Sequence, residues 1–343
     1  MLTTYVLRRL LVAVVQLAGI TLLVFFLIRL LPADPVGRLV GLNATPEAIA
    51  HARASLDLDK SIPRQLGIYL GLDREAEGSG ILQGDLGSSW VTGSPVAQEI
   101  GKFLPVTLEL ITYSFLVAVL VGVPIGMVAA LRPRGLVDRA AFTYSLFAGA
   151  QPEFWWGLMF VFLFFSEWGL APAPLGRLDP LTSPPETVTG FLTLDALLAG
   201  RGSVFVEALH HLMLPVLTLA FVLSGPIIKM VRQSMLAVLA SDHILYARSC
   251  GLSPFRVAMY TFRNAFAPSL TLIGILYGYM LGGAVLIEQV FSLGGLGQYA
   301  LRSVLSLDYP AIQGVILVIT AGSLLTLLAI DVIHALVDPR VAQ

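Results

Sequence analysis

The sequence contains little charge and almost no cysteine, and both scarcities exclude broad classes of protein. Charged residues make up 13% of the 343 residues, and hydrophobic residues make up 56%. Because a soluble domain usually carries about 25% charged residues, the composition excludes an ordinary cytosolic enzyme, and the apolar content excludes a disordered chain. The single cysteine, Cys250, cannot form an internal disulfide or a cysteine-based metal cluster by itself.

The charge balance and the missing catalytic motifs narrow the function further. With 21 Lys and Arg residues against 22 Asp and Glu residues, the chain has no excess positive field, so no nucleic-acid partner is expected. Gly294-Gly295-Leu296-Gly297 is a tight turn without the lysine of a phosphate-binding loop. The chain also has no Gly-x-Ser-x-Gly and no His-Glu-x-x-His motif. We therefore predict no catalytic, cofactor-binding or metal-binding residue, and we assign the pair His210-His211 a packing or interfacial role.

Long apolar stretches predict an all-α polytopic membrane protein with six transmembrane helices. A hydrocarbon core about 30 Å thick needs roughly 20 apolar residues in a helix, because every backbone amide must be bonded internally in lipid. Six stretches meet this requirement: Leu10 to Ile28, Leu110 to Leu131, Ala140 to Phe165, Leu212 to Ile228, Ala267 to Ile287 and Ala311 to Ile330. The first is too long for the apolar region of a signal peptide, so we favour an anchored helix over a cleaved signal.

Two of the six stretches are irregular. Gln151-Pro152-Glu153 lies near the middle of the third stretch and predicts a kink or a break there. The fourth stretch contains Pro215 and Pro226 and is short unless it starts near Glu207.

The distribution of Lys and Arg predicts that both termini are cytoplasmic. With that orientation, eleven of these residues lie on the cytoplasmic side and nine on the other, and eight of the nine fall in two long loops. Long loops are translocated largely regardless of charge, so the short segments decide the orientation.

The two long external segments have different patterns. Residues 32–103 are predicted to form an external subdomain, in which Thr45-Pro46-Glu47 opens a short helix to about Leu56 and Ile62 to Gly71 is a second candidate helix. Turn-rich stretches at Gly78-Ser79-Gly80 and Gly84 to Gly93 complete it. Residues 166–206 are rich in Pro and Gly and are interpreted as an irregular surface loop.

The cytoplasmic interval 229–266 is the longest one between spans. Ser234 to Ala247 and Pro254 to Ala265 are both predicted to be helical, with a turn at Gly251 and a new helix start at Ser253-Pro254. The interval contains five cationic residues. They either reflect only the usual excess of Lys and Arg on the cytoplasmic side or belong to an element that docks a partner, and the composition leaves both open.

Charge inside the spans is too scarce to favour an ion-coupled transporter. Only Glu109, near one end of the second span, and Glu153, at the kink of the third, approach membrane depth. Gln151 and Glu153 are candidates for lining a pathway, and an interior hydrogen bond at the Pro152 break is the alternative for Glu153.

A set of short motifs runs along nearly the whole chain. In order, they are Arg8-Arg9-Leu10-Leu11, Leu31-Pro32-Ala33-Asp34-Pro35, Gly84-Asp85-Leu86-Gly87-Ser88-Ser89, Leu104-Pro105-Val106-Thr107-Leu108-Glu109-Leu110, Glu288-Gln289-Val290-Phe291, Gly295-Leu296-Gly297, Asp308-Tyr309-Pro310 with Gln313-Gly314, and Asp338-Pro339-Arg340. In this order and spacing, the set resembles the inner-membrane permease subunits of binding-protein-dependent ABC importers, in the dipeptide, oligopeptide and nickel branch.

The cytoplasmic interval contains the most informative part of this resemblance. Tyr246-Ala247-Arg248-Ser249-Cys250-Gly251-Leu252, followed by Arg263-Asn264-Ala265 and Pro268, is similar to the family's coupling helix, which inserts into a cleft on the ATPase subunit. Leu245 and Cys250 depart from the family by standing where it has basic residues. The residues that the resemblance assigns to ATPase coupling are Asp242, Tyr246, Ala247, Arg248, Gly251, Leu252 and Ser253.

The resemblance implies a single permease domain over residues 1–343 with a type I importer fold, in the plasma or inner membrane of a bacterium or archaeon. It also implies ATP-driven uptake of di- or oligopeptides, with nickel or another small solute as the alternative. The implied partners are a second homologous permease, two ATPase subunits that bind ATP and Mg, and an extracytoplasmic binding protein. An ion-coupled secondary transporter and a membrane scaffold without transport activity are the more distant alternatives.

Overall fold

The computed structural model describes residues 2–30, 34–41, 44–73 and 80–337, and helices dominate these ranges. In chain order the α-helices are α1 (Leu2–Leu30), α2 (Pro35–Val40), α3 (Pro46–Ser55), α4 (Ile62–Leu70), α5 (Val96–Leu131), α6 (Leu136–Ala148), α7 (Glu153–Phe160), α8 (Leu192–Leu198), α9 (Gly202–Leu239), α10 (Asp242–Ser249), α11 (Pro254–Gly283), α12 (Val285–Val290), α13 (Leu296–Ser306) and α14 (Tyr309–Val337). A 3-10 turn covers Ile81–Gln83 and a π-helix covers Val161–Glu167. Within the described ranges there is no β-strand, only an isolated bridge between Ser88 and Pro95.

Among the described residues, four helices are long and apolar enough to cross a membrane. They are Thr4–Leu30 in α1, Val96–Leu131 in α5, Gly202–Leu239 in α9 and Tyr309–Ile333 in α14. A fifth candidate is α11, whose axis bends by 53° between Pro254–Phe266 and Ser269–Gly283. Because Pro268 stands at this bend and a proline inside a helix removes one N–H donor, the bend has an ordinary cause.

The predicted third span is not one continuous helix. A break at residues 149–152 separates α6 from α7, and the π-helix follows α7 directly. The break prediction at Gln151-Pro152-Glu153 is confirmed, because Pro152 cannot donate a helical hydrogen bond and disfavours a helical Gln151. The indole Nε1 of Trp156 donates to the Ala148 carbonyl oxygen at 3.1 Å, which satisfies a backbone group that the break leaves free.

Helix boundaries in the interval 229–266 also differ from the prediction. The expected helix from Ser234 to Ala247 is interrupted, because α9 ends at Leu239 and α10 begins at Asp242 with Ser241 as its N-cap. A helix does begin at Pro254 as expected, but it continues far beyond Ala265 as α11. The described structure therefore contains a separate short helix, α10, between two long ones.

The helix α9 forms the centre of the molecule and packs most extensively against α5. Two glycines of α5 make this packing close, since an added Cβ at Gly122 would lie 2.9 Å from Ile227 Cγ2 and one at Gly126 would lie 2.9 Å from the Ile228 carbonyl oxygen. Small residues at such positions let membrane helices approach each other. By contrast, α1 lies at the periphery and packs mainly against α14.

The segments outside the long helices are only partly as expected. Both short helices of the predicted external subdomain are confirmed as α3, with Thr45 Oγ1 accepting from Ala48 N at 3.2 Å, and α4, with Gly71 in a left-handed conformation at its end. The segment 166–206 is not wholly irregular, because it contains α8 and the start of α9. Of the predicted motifs, Leu31-Pro32-Ala33, Gly78-Ser79 and Asp338-Pro339-Arg340 lie outside the described residues.

Candidate functional site

The segment from Asp242 to Ser253, here called the docking segment, is a short helix closed by a compact turn. The N–H of Gly251 donates to the Arg248 carbonyl oxygen at 3.0 Å, and the N–H of Leu252 donates to the Ala247 carbonyl oxygen at 3.3 Å. This pair of bonds is the Schellman arrangement that ends many helices. It requires a left-handed residue, and Gly251 has a φ of +76°.

The turn leads directly into the next helix. Ser253 has the extended conformation of an N-cap, and Pro254 occupies the first turn of α11, where its missing N–H costs nothing. The docking segment is thus held between two helices by backbone bonds and by the buried side chain of Ile244, and α10 contacts both α9 and α11.

Most side chains assigned to ATPase coupling point away from the protein. Asp242, Tyr246, Arg248, Gly251 and Ser253 are exposed, while Ala247 and Leu252 are half-buried. Tyr246 is 72% exposed, which is unusual for so large a ring. Within the part of the chain that the structure describes, Asp242 and Arg248 form no side-chain hydrogen bond or ion pair. The segment therefore presents polar groups and an aromatic ring that the chain itself does not satisfy.

Two further apolar side chains belong to the same exposed surface, and neither was assigned to ATPase coupling from the sequence. Phe255 is 74% exposed and Leu245 is 50% exposed. The signal was present, since Phe255 follows the helix start at Ser253-Pro254 and lies outside any predicted span. Large exposed apolar side chains next to unpaired charges are typical of a protein-binding surface.

The two candidate pathway residues lie at the break between α6 and α7, far from the docking segment. Gln151 is exposed, and Glu153 is half-buried at the first position of α7. The interior hydrogen bond considered for Glu153 is not found, because its carboxylate has no partner among the described residues. Gly157, one turn later, packs near Ile287 of α12 and Thr218 of α9. From Thr218 to the end of α9 is about 30 Å along the helix axis, so α9 connects the two regions without bringing them together.

Two family models together match most of the sequence. The model described as a binding-protein-dependent transport system inner membrane component matches residues 122–343, and the model of its N-terminal part matches residues 1–111. The chain belongs to this family of transport permeases.

Curated relatives match this permease over nearly its whole length. The probable D,D-dipeptide transport system permease protein DdpB of Escherichia coli K12 is 37% identical over 331 residues, which are 96% of this chain and 95% of that protein. The di/tripeptide transport system permease protein DppB of Pseudomonas aeruginosa is 37% identical over 340 residues, and the dipeptide permease DppB of Escherichia coli K12 is 34% identical over 341 residues. Both alignments cover 98% of each chain.

The family motifs of this permease meet in a second polar region, which the sequence did not reveal as a unit. We call Glu99, Glu109, Glu288 and Asp308 the buried acid set, because all four carboxylates are largely or wholly inaccessible. Glu109 accepts from Thr193 N at 2.8 Å and Thr193 Oγ1 at 2.6 Å, and it pairs with Arg177 at 3.2 Å.

The other three acids are satisfied in the same way by residues distant in sequence. Glu288 accepts from Thr107 Oγ1 and from Gln298 N, and Thr107 in turn accepts from Leu296 N at 2.8 Å. Asp308 accepts from Ser89 Oγ at 2.5 Å, and Glu99 accepts from the Tyr299 hydroxyl at 2.5 Å. Burial and the neighbouring Glu99 carboxylate raise the pKa of Tyr299, which keeps it a hydrogen-bond donor.

Two motif glycines are explained by the space around this set. A Cβ on Gly295 would lie 2.5 Å from the Glu288 carboxyl carbon, and one on Gly297 would lie 2.7 Å from Val285 Cα. Since real side chains do not tolerate such distances, glycine is required for α13 to approach α12.

Histidine makes ordinary contacts in the described structure. His211 Nδ1 lies 3.2 Å from the Gly176 carbonyl oxygen, and His210 Nε2 lies 3.4 Å from that of Leu170. Among the described residues, no group of three or more His, Cys, Asp or Glu side chains has the arrangement of a metal site.

Proposed function

We propose that this permease forms, together with a second homologous permease, the pathway of an ATP-driven importer for di- or oligopeptides. An extracytoplasmic binding protein delivers the peptide, and two ATPase subunits bind ATP and Mg and supply the driving force. The membrane is the plasma or inner membrane of a bacterium or archaeon. The names of the curated relatives, which describe dipeptide and di/tripeptide transport, support the choice of peptides.

The docking segment is the observation that carries this proposal. Its turn is closed by the two Schellman bonds around the left-handed Gly251, and its exposed Asp242, Tyr246 and Arg248 have no partner in the described chain. A compact segment with unsatisfied groups can transmit the closure of an ATPase pair to α9 and α11, to which it is joined.

The proposed topology has six spans with both termini in the cytoplasm. The spans are α1, α5, the broken unit of α6, α7 and the π-helix, α9, α11 and α14. The broken unit is acceptable inside a membrane where other helices cover it. This condition is consistent with the packing of α7 against α9 and α12.

Within this topology, Gln151 and Glu153 lie midway along the third span and are proposed to line the pathway. A carboxylate without a partner is not tolerated against lipid, so its exposed side is expected to face water or a partner subunit. Replacing Glu153 by Gln should lower peptide uptake without lowering the amount of assembled transporter. Unchanged uptake kinetics in that variant would remove Glu153 from the pathway.

Reconstitution tests the function directly. Proteoliposomes that contain both permeases and both ATPases, with the binding protein outside, should accumulate a labelled dipeptide only when ATP is inside. Uptake by this chain alone, driven by an ion gradient, would show a secondary transporter instead. The complete assembly could instead hydrolyse ATP and transport nothing, whichever peptide or metal its binding protein binds. That result would favour a membrane scaffold.

Gly251 tests the docking assignment separately. Because no atom lies within 4 Å of a Cβ added there, a substitution acts through the left-handed backbone and through the projecting side chain. Gly251→Lys should reduce uptake by about tenfold relative to ATP hydrolysis, since a left-handed conformation costs roughly 1–2 kcal/mol for most residues. Gly251→Asn is the matched control, because Asn adopts this conformation far more readily. Normal coupling in Gly251→Lys would contradict the assignment.

A further inference from the structure

A cleft lined by both charged and apolar side chains lies between α6 and α9, near the end of α9 that leads to the docking segment. Its volume is about 160 Å³. The residues lining it are Ala141, Phe142, Ser145 and Leu146 on α6 and Ile228, Lys229, Arg232 and Gln233 on α9. Two contacts bound it, the hydrogen bond from Ser145 Oγ to the Gly225 carbonyl oxygen at 3.2 Å and the ion pair between Arg232 and Asp138.

The charge of this cleft is positive and only partly compensated. Arg232 binds Asp138 through Nε and Nη2. Its Nη1 group donates to no other residue that the structure describes, and Lys229 is exposed and has no partner in the same ranges. The neighbouring connection adds exposed Arg132, Arg134 and Arg139, and Asp138 is the one acid in the sequence between residues 132 and 148. A phosphate group would therefore find several donors and no free carboxylate.

Apolar side chains continue from the charged end of the cleft along α6. Phe142 is 63% exposed and Leu146 is 59% exposed, and they lie one turn apart on the same helix face. Since α6 begins at Leu136 and α9 ends at Leu239, the cations lie toward the membrane boundary and these two side chains lie toward its interior. A cleft with cations at one end and an exposed apolar face at the other is complementary to an amphiphile with an anionic headgroup.

We propose that this cleft binds the headgroup of an anionic phospholipid, with the phosphate at Lys229 and Arg232 and an acyl chain along Phe142 and Leu146. Basic pockets between membrane helices on the cytoplasmic side hold such headgroups by charge, at about 1 kcal/mol per cation. The placement in the cytoplasmic leaflet rests on the proposed topology. Because α9 carries the docking segment at its end, the bound lipid contacts the helix that would transmit ATPase movement.

Lipid retention by the purified four-subunit transporter tests this site without requiring transport. The complex is placed in discs of phosphatidylcholine with increasing phosphatidylglycerol, and bound lipid is then counted by mass spectrometry after exchange into detergent. Lys229→Gln should retain phosphatidylglycerol about fivefold more weakly, while Lys229→Arg retains it normally. Lys102→Gln is the matched control, because Lys102 is an exposed lysine of α5 on the opposite side in the proposed topology, and it should change nothing.

Three results would overturn the proposal. Equal retention of phosphatidylglycerol by the original transporter and Lys229→Gln would remove the site. Equal retention of phosphatidylcholine and phosphatidylglycerol would remove its charge selectivity. Saturable binding of inorganic phosphate that depends on Lys229 and displaces the lipid would identify a small-anion site instead. Since the measurement uses neither ATP nor peptide, its failure is distinguishable from a failure of the importer function.

Discussion

The two polar regions of this permease differ in what satisfies them. In the buried acid set, each carboxylate accepts hydrogen bonds from residues far away in the sequence, as Glu109 does from Thr193 and Glu288 does from Thr107. In the docking segment, Asp242 and Arg248 are exposed and have no partner in the described chain. The first region therefore holds the fold together, and the second has the features of a surface that another protein completes.

The difference also explains how each region uses glycine. Gly295 and Gly297 are required because neighbouring atoms leave no room for a side chain, whereas Gly251 has open space around it and is required for its backbone conformation. Substitution at Gly295 should therefore act on packing, while substitution at Gly251 should act on the shape that a partner meets.

Removing Glu109 should give the largest loss of stability. Glu109→Ala leaves Arg177 and the two donors of Thr193 without their acceptor in a buried place, at a cost of roughly 3 kcal/mol. Thermal unfolding of the purified permease in detergent measures this loss. The matched control is Asp242→Ala in the docking segment, which should leave the unfolding temperature unchanged. Equal losses in the two variants would erase the contrast between the regions.

Cys250 allows a labelling test of the docking segment, and the expected effect is intermediate in size. Cys250 is exposed at the end of α10, and the sequence contains no other cysteine. A membrane-impermeant maleimide should label it only from the cytoplasmic side, and assembly with the ATPases should slow labelling by about tenfold, as expected for a site covered most of the time. A cysteine introduced at Ser203, an exposed position near the start of α9, should be labelled from the other side and should not be protected. Labelling of Cys250 at full rate in the assembled transporter would contradict docking there.

Local patterns in the sequence predicted much of the helical architecture. The spans within α1, α5 and α14 follow from unbroken apolar runs, and the break before Glu153 follows from Pro152. The short fourth run became a full span because α9 starts at Gly202, before Glu207, and continues through Pro215 and Pro226. The turn at Gly251 was also predicted from local chemistry. The interruption at Ala240-Ser241 was missed although Ser241-Asp242 is a good helix start, because the stretch from Met235 to Ala240 is rich in strong helix formers.

The contacts between residues distant in sequence could not be predicted from the sequence. Thr193 and Glu109 are 84 residues apart, and no local periodicity indicates that they meet. The helix α8 was missed although the contacts at its start are local, since Asp195 accepts from Thr189 and Gly190 in the turn before it. Burial favours a higher pKa for Asp195, but these hydrogen bonds outweigh it and hold the pKa below its ordinary value.

Between the two regions lies an ion pair whose effect on stability should be smaller. Arg232 donates to Asp138 through Nε and Nη2, and Arg134 N donates to the same carboxylate at 2.7 Å. Asp138→Asn removes one charge of this pair and should therefore lower the unfolding temperature, but by less than Glu109→Ala does. An unfolding temperature equal to that of the original protein would show that the pair does not contribute.

Replacing Arg248 should have the smallest effect on stability. Its effect on assembly with the ATPases should distinguish the docking segment from the buried acid set. Since Arg248 is exposed and unpaired in the described chain, Arg248→Gln should change the free energy of unfolding by less than about 0.5 kcal/mol. At low salt the same change should weaken association with the ATPases several-fold, because a charge at the edge of an interface acts mainly through long-range attraction. High salt should remove most of that difference, since it screens exposed charges. An association constant that is the same for both proteins at low salt would place Arg248 outside the interface, and the docking surface would then be confined to Tyr246 and its apolar neighbours.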